Sequence, residues 1–371
     1  MTRLGQLTLQ RMEVVDVAIV GGGPGGSSCA AFCAAAGLRT LVLEREKFPR
    51  EKVCGDCINP ACWPVLERLG VTEQIRNFPH GALNAVEFIA IDGQRLRVDL
   101  PGGAKGEIAI KRSHFDSLLL DRARALGAEV REEATLIALD RTAAKDWKID
   151  IVRETLRARV VVGADGRNST VARLRNLLPR PERERVALQA HIPLPRDFGN
   201  RIVLQFLPEG YSGQAPVNGQ ELNLCLVGTP PTISSLRAWA EREFDLPPIQ
   251  PWRTITPLTR DPIPVAHENL FFIGDAARVV EPFTGEGIYY ALRSGELAAN
   301  AIIKILGGEG RKSALRQFAR AHRAMYRGRL WINRLARAAV LSPKTASTLL
   351  RVAKISPSIL RLLTRKIVRP R

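Results

Sequence analysis

Long hydrophobic runs are missing from this sequence of 371 residues, and so is a secretory signal. No apolar segment reaches the length of a bilayer span, and the opening MTRLGQLTLQR lacks an apolar core and a cleavage site. Residues 1–11 precede the first convincing strand and are interpreted as an optional extension. Cysteine is scarce, with six residues: Cys29, Cys33, Cys54, Cys57, Cys62 and Cys225. These absences exclude a disulfide-stapled secreted domain and predict a reducing, cytoplasmic compartment.

Acidic residues are absent from the last sixth of the chain. Of the 55 Lys and Arg residues, 17 lie between Arg311 and Arg371, where no Asp or Glu occurs. The preceding 310 residues carry the other 38 basic residues against 37 acidic ones, so this region accounts for nearly all of the net charge of +18. Its cations interleave with Leu, Ile, Phe and Trp at near-helical spacing, which predicts a basic C-terminal helical region over 311–371.

Three roles for the basic region 311–371 stay open. Its helices pack an apolar face on the rest of the protein and leave a basic face in solvent, or they bind an anionic membrane surface. Nucleic-acid binding is the third role and the least favoured one. The first two are compatible with each other, so the predicted localisation is cytoplasmic, either free or peripheral to a membrane.

A glycine-rich turn follows the first predicted strand, VVDVAIV. The turn GGGPGG contains Gly21, Gly23, Gly25 and Gly26, and it leads into an alanine-rich helix. Glycine permits the tight turn and lets backbone N–H groups approach a pyrophosphate at the helix N-terminus. Glu44 ends the next strand, RTLVLE, where it can accept hydrogen bonds from a ribose hydroxyl. This pattern predicts dinucleotide binding, and the acid favours FAD or NAD over NADP.

Two later segments choose between these cofactors. VVGADGRNSTVARL contains Asp165-Gly166, and NLFFIGDAARVVEPFTGEGIYYAL contains Gly274-Asp275 and then Gly285 and Gly287. With the three motifs in this order, residues 13–310 resemble the FAD-dependent oxidoreductases that have the fold of aromatic hydroxylases. Within that group the chain is most similar to the geranylgeranyl reductase family.

The resemblance implies roles for these residues. In the family, the aspartate at the position of Asp275 meets the FAD ribitol and phosphates, and the glycines near PFTGEG lie beside the flavin ring. Asp165-Gly166 corresponds to a motif that supports FAD and transient nicotinamide binding, and Arg112 in AIKRSHFDSLLL to an arginine near the FAD phosphates. The candidate cofactor-binding residues are therefore Gly21, Gly23, Gly25, Gly26, Glu44, Arg45, Arg112, Asp165, Gly166, Gly274, Asp275, Gly285 and Gly287.

The order of predicted elements indicates an α/β (α+β) fold. A Rossmann-like FAD-binding domain is interleaved with an antiparallel-sheet substrate domain, and C-terminal helices follow. The predicted FAD-binding domain comprises residues 12–80, 105–180 and 256–310. The predicted substrate domain comprises residues 81–104 and 181–255, and the basic helical region is 311–371. Because the chain has only one dinucleotide fingerprint, NAD(P)H is expected to bind transiently as electron donor, unless another donor serves.

The stretch EKVCGDCINP contains the pair Cys54 and Cys57. The chain has no second such pair and no histidine at metal-ligand spacing, so no metal site is predicted. A redox dithiol remains an alternative. The resemblance places Lys52, Cys54 and Gly55 in a loop near the flavin, which favours Cys54 as the catalytic candidate and Cys57 as a packing residue. Asp56 stands where the family commonly has another glycine.

The predicted substrate sheet departs from the family in its aromatic residues. EGYSGQAPVNG keeps Gly210, Tyr211 and Pro216, but Gly213 and Ala215 replace the large aromatics that prenyl-lipid reductases often have. The expectation is a hydrophobic or lipid-like substrate of a shape different from the usual prenyl chain. Tyr211 is one candidate substrate residue.

His191, on the predicted strand LQAHIPLP, is the second candidate substrate residue, because it could donate a proton. The resemblance implies hydride transfer from reduced flavin to a carbon–carbon double bond. A flavin monooxygenase that hydroxylates an aromatic or polyketide-like compound is the alternative. The alternative from another class is a basic membrane- or nucleic-acid-binding module with a vestigial nucleotide fold.

Overall fold

The computed structural model describes residues 14–179 and 185–331 of the chain. Residues 1–11, interpreted above as an extension, lie outside the described residues. So do residues 332–371, the larger part of the basic region.

The elements are numbered in chain order. The first half contains β1 (Val14–Val20), α1 (Pro24–Ala35), β2 (Thr40–Leu43), β3 (Cys57–Ile58), α2 (Trp63–Leu69), α3 (Thr72–Asn77), β4 (Gly81–Leu83), β5 (Ala85–Ile89), β6 (Arg95–Asp99), β7 (Glu107–Ala109), α4 (Arg112–Ala125), β8 (Glu129–Arg131), β9 (Leu136–Arg141), β10 (Trp147–Ile151), β11 (Glu154–Gly163) and α5 (Thr170–Leu174). The second half contains β12 (Val186–Pro193), β13 (Arg201–Leu207), β14 (Gly210–Pro216), β15 (Glu221–Gly228), α6 (Ile233–Glu243), β16 (Arg253–Ile255), β17 (Ala266–His267), β18 (Leu270–Phe272), α7 (Gly287–Leu306) and α8 (Arg311–Met325).

A parallel sheet forms the centre of the first domain. Strands β18, β11, β1, β2 and β8 lie side by side in this order and run parallel. Because helices and a hairpin cover its two faces, the strands are apolar at nearly every position. In β1, Val17 and Ile19 face the core formed with α1, α4 and α7, whereas Ala18 and Val20 face the β9–β10 hairpin and α5.

The second sheet has seven strands, in the order β16-β12-β15-β14-β13-β5-β6. All its neighbours pair antiparallel except β13 and β5. Helix α6 covers one face, where it packs on Leu188, Ala190 and Ile192 of β12. On the opposite face, Ala187 belongs to a cluster with Phe283 of the first domain. The predicted combination of a Rossmann-like domain and an antiparallel sheet domain is confirmed.

One predicted boundary needs correction. β4 lies in the segment 81–104 assigned to the substrate domain, but it pairs with β7 in a three-stranded sheet of order β3-β7-β4. A Cβ on Gly81 would lie 1.8 Å from the carbonyl oxygen of Pro216, so β4 begins pressed against the end of β14. From this segment the seven-stranded sheet receives only β5 and β6.

Helix α8 begins the basic region and packs on the first domain. Ala314, Phe318 and His322 are buried along one side of the helix. The Phe318 ring meets Phe271 of β18 with the centroids 5.2 Å apart. Burial, together with Arg278, lowers the pKa of His322 to about 4. Of the described helices, none combines the length and the apolar character that a bilayer span requires.

Candidate cofactor and substrate site

The three sequence motifs meet at one edge of the parallel sheet. Gly21 follows the end of β1, Asp165 follows β11 and Asp275 follows β18. The strand ends are joined by backbone bonds: the Ala164 N–H donates to the Val20 carbonyl at 2.8 Å, and the Ile273 N–H to the Gly163 carbonyl at 3.1 Å. Ligands of open α/β sheets bind at this carboxyl edge. Motifs as far apart in sequence as Gly21 and Asp275 thus face the same space.

The glycine turn is packed as tightly as the sequence predicts. Gly21 has a φ of +106°, and a Cβ there would lie 2.5 Å from the Ala164 carbonyl oxygen. A Cβ on Gly26 would lie 1.8 Å from the Gly21 carbonyl oxygen. No described side chain caps the N-terminus of α1, and its first turn contains no acidic residue. The N–H groups of that turn are therefore available to an anion.

Glu44, which follows β2, is hydrogen-bonded to the same turn. Its carboxylate accepts the Gly22 N–H at 2.7 Å and the Glu46 N–H at 3.0 Å, and the residue is buried. The two oxygens keep further lone pairs for a ligand hydroxyl. Arg45, the other predicted residue here, is exposed, and its guanidinium lies 3.4 Å from the Glu46 carboxylate.

A cluster of cations lies next to the glycine turn. Arg112, at the start of α4, makes two hydrogen bonds of 2.7 Å with the buried Asp116. Arg50 also pairs with Asp116 at 3.0 Å. Burial, and then the charge of Arg112, lowers the pKa of Lys52 to about 8, although Asp275 and Asp116 oppose this effect. Three cations thus share two nearby carboxylates, a surplus that suits a phosphate-bearing ligand.

The two predicted aspartates are held differently. Asp165 accepts the Val171 N–H at 3.1 Å through Oδ2, while its buried Oδ1 has no hydrogen-bond partner among the described residues. Burial raises the pKa of the Asp165 carboxyl. Asp275 accepts a hydrogen bond from Arg167 at 3.2 Å. Because a buried oxygen without a partner is costly, Asp165 Oδ1 fits a ligand that brings a hydroxyl donor.

The glycines before α7 border an apolar contact between the two domains. A Cβ on Gly285 or Gly287 would meet no protein atom within 4 Å. The same holds for Gly166, which follows β11. Next to Gly285, the Phe283 ring contacts three rings of the seven-stranded sheet, with centroid distances between 5.5 and 6.4 Å to Tyr211, Phe206 and Phe88. Burial raises the pKa of Tyr211 well above its usual range. The sheet therefore presents apolar rings to the glycine loop.

The loop that carries Cys54 is fastened to the same sheet face. Asn223 Nδ2 donates to the Cys54 carbonyl at 2.7 Å, and the Cys225 thiol lies 3.4 Å from that oxygen. Asp56 Oδ2 lies 2.7 Å from His191 Nε2. This loop is thus held against the substrate sheet through the Cys54 carbonyl and through the contact of Asp56 with His191.

Cys54 and Cys57 have different surroundings. The Cys54 side chain lies near the Arg112 guanidinium and interacts with it electrostatically. Cys57 starts β3, pairs with Ala109 and packs in the core between the domains, and burial raises the pKa of its thiol well above the ordinary value. All six cysteines are free thiols. The geometry favours separate roles for the two residues, which remain predictions.

The pattern reading missed several residues of this region. Asp116 could have been found, because it follows Arg112 by four residues on a helix and carries the opposite charge. Arg50 gave no signal of its own in the sequence. The contacts of Asn223 and Asp56 and the buried pair Arg185–Glu281 could not have been found, because the partners lie far apart in the sequence.

The residues present fit FAD. An uncapped helix N-terminus and a surplus of cations suit the phosphates of a dinucleotide, and the unpartnered Asp165 oxygen suits a ribitol hydroxyl. Beyond them, the glycines of the 285–287 loop face the apolar rings of the second sheet.

Comparison with known proteins supports this assignment. The FAD binding domain family model matches residues 14–192. The chain is 30% identical over 315 residues to the menaquinone reductase of Mycolicibacterium smegmatis, covering 76% of this chain and 75% of that protein. It is 30% identical over 314 residues to the geranylgeranyl diphosphate reductase of Rhodobacter capsulatus, covering 78% and 75%.

Other similar proteins are more distant or differ in length. The chain is 27% identical to conditioned medium factor receptor 1 of Dictyostelium discoideum over 80% of its own length, and it spans only 65% of that protein. Among solved structures, a probable FAD-dependent monooxygenase from Pseudomonas aeruginosa, PqsL, superposes with a TM-score of 0.77. It is 19% identical and covers 91% of this chain and 100% of that one, which shows a common fold.

Proposed function

Because the chain belongs to the FAD-dependent oxidoreductase family built on this FAD-binding domain, we propose that it reduces a carbon–carbon double bond of a hydrophobic, isoprenoid-like substrate. The observation that carries the proposal is the apolar contact between Phe283 of the glycine loop and Tyr211, Phe206 and Phe88 of the second sheet. Two relatives at 30% identity whose names are those of reductases support it. Bound FAD would supply the hydride in this reaction.

The protein's own part is to bind and orient. The α1 N-terminus and the cations Arg112 and Lys52 hold the phosphates in this proposal, and Glu44 holds a ribose. In this proposal Asp165 and Asp275 bind the ribitol of FAD, and Gly285 and Gly287 lie beside the flavin ring. Apolar side chains exclude water from the reacting atoms.

The substrate sheet gives the pocket its shape. Tyr211, Gly213 and Ala215 lie on the sheet face toward the Cys54 loop, because Gly213 pairs with Cys225 and Ala215 with Asn223. A Cβ on Gly213 would lie 3.6 Å from Leu204, which is an ordinary van der Waals contact. The backbone at this position could therefore carry a Cβ without a clash. In this proposal the missing side chain at Gly213 accommodates a wider substrate than a linear prenyl chain, whereas Ala215 packs with Leu83 and Leu100.

Lys52 provides a test of the phosphate site. Its pKa is about 8, against 10.5 in the unfolded chain, so between these values the folded protein without FAD binds fewer protons than the unfolded one. The phosphates of FAD would favour the ammonium form and restore the proton. We expect FAD binding at pH 9 to take up almost one proton, and FAD affinity to fall as pH rises from 8 to 10.5.

Calorimetric titration of the apoprotein with FAD, in two buffers of different ionisation heat, measures this proton uptake. Lys52→Gln should abolish the uptake, whereas Lys47→Gln, a change at an exposed lysine five residues earlier, should leave it intact. Equal uptake in wild type and Lys52→Gln would remove Lys52 from the phosphate site.

NAD(P)H is the proposed electron donor, bound transiently because the chain has one dinucleotide fingerprint. The function is tested by reducing the FAD-loaded protein with NADPH and mixing it, without oxygen, with geranylgeranyl diphosphate or a menaquinone. Fast reoxidation of the flavin, with one carbon–carbon double bond fewer in the isoprenoid chain of the product by mass spectrometry, supports the proposal, and reduction of the menaquinone ring alone would contradict it. Reoxidation by oxygen alone, accelerated by an aromatic compound, would replace it with the monooxygenase alternative.

The exposed cations of α8 support a further part of the proposal, binding at an anionic membrane surface. Arg311, Lys312, Arg316, Arg320 and Arg323 are all exposed on this helix. A lipid-like substrate would then be reached from the membrane. Flotation with anionic vesicles at low salt tests this, and equal flotation with neutral vesicles would contradict an electrostatic attachment.

A further inference from the structure

A buried acid–imidazole pair joins the Cys54 loop to the substrate sheet. His191 Nε2 lies 2.7 Å from Asp56 Oδ2, across 135 residues of sequence. The side chains of His191 and Asp56 are 9% and 1% exposed. Asp56 has a φ of +58°, a left-handed conformation that costs free energy in a non-glycine residue. A glycine would be unstrained there, so a carboxylate at this position needs a reason.

The pair faces the proposed reaction space. Leu188, Ala190 and Ile192 of β12 face α6, so the alternate residues, Gln189 and His191, face the other domain. Ala187, two residues before Gln189 on the same face, packs in the cluster that includes Phe283 of the glycine loop. His191 is therefore on the side of the sheet that borders the flavin position in the proposed function.

Asp56 is the hydrogen-bond partner that orients the imidazole, and two amide side chains lie beside it. Gln189 Nε2 lies 3.3 Å from His191 Nε2 and 3.5 Å from Asn223 Oδ1, and Asn223 in turn holds the Cys54 carbonyl. Nδ1 of His191 has no hydrogen bond to any described residue. A carboxylate on Nε2 selects the tautomer that is protonated there, which leaves Nδ1 as the nitrogen that exchanges a proton.

The groups around the pair act on Asp56 in opposite directions, and the net effect is a raised pKa. Burial raises the pKa of Asp56, and Glu51 adds to this, whereas His191 and Arg112 counteract it. On the sheet side, Glu221 interacts electrostatically with His191, and its carboxylate accepts a hydrogen bond from Lys111 at 2.6 Å. The thiols of Cys57 and Cys225 also lie near Asp56.

We infer that His191, positioned by Asp56, supplies the proton that accompanies hydride transfer to the substrate double bond. The inference rests on the proposed function. One carbon takes hydride from the reduced cofactor, the π bond breaks, and the other carbon takes the proton from His191 Nδ1. The N–H bond breaks and a C–H bond forms, so the imidazole is left neutral and regains its proton from solvent. NAD(P)H restores the reduced cofactor.

The first test separates the two half-reactions. His191→Gln should slow anaerobic reoxidation of the reduced enzyme by geranylgeranyl diphosphate or a menaquinone on the order of 100-fold or more, the usual loss when a general acid is removed. FAD content and the rate of reduction by NADPH should stay at wild-type values. His267→Gln, the same change at an exposed histidine, should leave both half-reactions unchanged.

Chemical rescue separates proton donation from a structural role. Added imidazole should restore part of the lost rate in His191→Ala, in proportion to the imidazolium concentration, and a purely structural role would give no such dependence. Asp56→Asn should also slow reoxidation. In nitrogen-15 spectra of labelled histidine it should convert His191 from the Nε2-protonated tautomer to a mixture, and His191→Gln identifies that signal among the five histidines.

The outcomes distinguish the inference from the function. If the wild-type enzyme is not reoxidised by either isoprenoid, the proposed function is wrong and the inference falls with it. If the wild type reacts and His191→Gln reacts as fast, or if His191→Ala shows no rescue, the function stands and the proton-donor assignment is wrong. If the His191→Gln protein does not retain FAD, the rate of anaerobic reoxidation of Asp56→Asn tests the inference instead.

Discussion

A Gly26→Ala variant is expected to lose FAD. The added Cβ would lie 1.8 Å from the Gly21 carbonyl oxygen and 3.2 Å from the Ala164 side chain. Neither the turn nor the strand behind it can move away, because the Gly21 N–H is bonded to the Leu43 carbonyl at 2.8 Å and Ala164 to Val20. The first turn of α1 must shift instead, which displaces the N–H groups from the phosphate position. We expect FAD affinity to fall on the order of 100-fold, about 3 kcal/mol.

Calorimetry with the apoprotein and the ratio of flavin to protein absorbance after gel filtration measure this loss. Gly219→Ala is the matched control, because a Cβ there meets no protein atom within 4 Å, and it should keep full FAD content. Circular dichroism shows whether both variants fold. A folded Gly26→Ala protein with stoichiometric FAD would mean that the cofactor does not lie on this turn.

Glu281→Ala is expected to destabilise the fold strongly. Glu281 precedes the glycine loop and pairs with Arg185, just before β12, through two hydrogen bonds, one of them 3.1 Å long. Both side chains are almost completely buried, at 2% and 3% exposure. Removing one partner leaves the other charge buried and unpaired, which costs about 3–5 kcal/mol. That is a large fraction of the roughly 5–15 kcal/mol by which domains are stable.

Urea denaturation of the apoproteins measures the change in the free energy of unfolding. Glu241→Ala breaks the surface pair between Arg237 and Glu241, which are 44% and 31% exposed, and should cost under about 1 kcal/mol. The double variant Arg185→Met, Glu281→Leu should regain much of the loss, since it leaves no unpaired charge. A single-variant loss as small as that of Glu241→Ala would show that the buried pair is not a major stabilising contact.

The parallel sheet and its glycine turn were predictable because their signals are local. An apolar run such as VVDVAIV indicates a strand covered on both faces, and GGGPGG before an alanine-rich segment indicates the turn into a helix. Asp165 and Asp275 follow buried strands, so the rule that ligands bind at the carboxyl edge predicts that they meet. The structure brings them to that edge.

Pairs that depend on strand register were not predictable. His191 meets Asp56, and Arg185 meets Glu281, only because the second sheet lies against the Cys54 and glycine loops, and no periodicity within β12 encodes that contact. The placement of β4 depends on the close approach of Gly81 to Pro216, which a three-residue strand does not reveal. The low pKa of Lys52 likewise arises from burial beside Arg112.

The fate of oxygen and hydrogen in the product tests the central claim most directly. The FAD-loaded enzyme would turn over geranylgeranyl diphosphate or a menaquinone with NADPH in heavy water under oxygen-18, with mass spectrometry of the product. Since flavin and histidine protons exchange with solvent, the account predicts two deuterium atoms for each double bond reduced and no oxygen-18. Oxygen-18 in the product, without added deuterium on carbon, would contradict it and establish a monooxygenase.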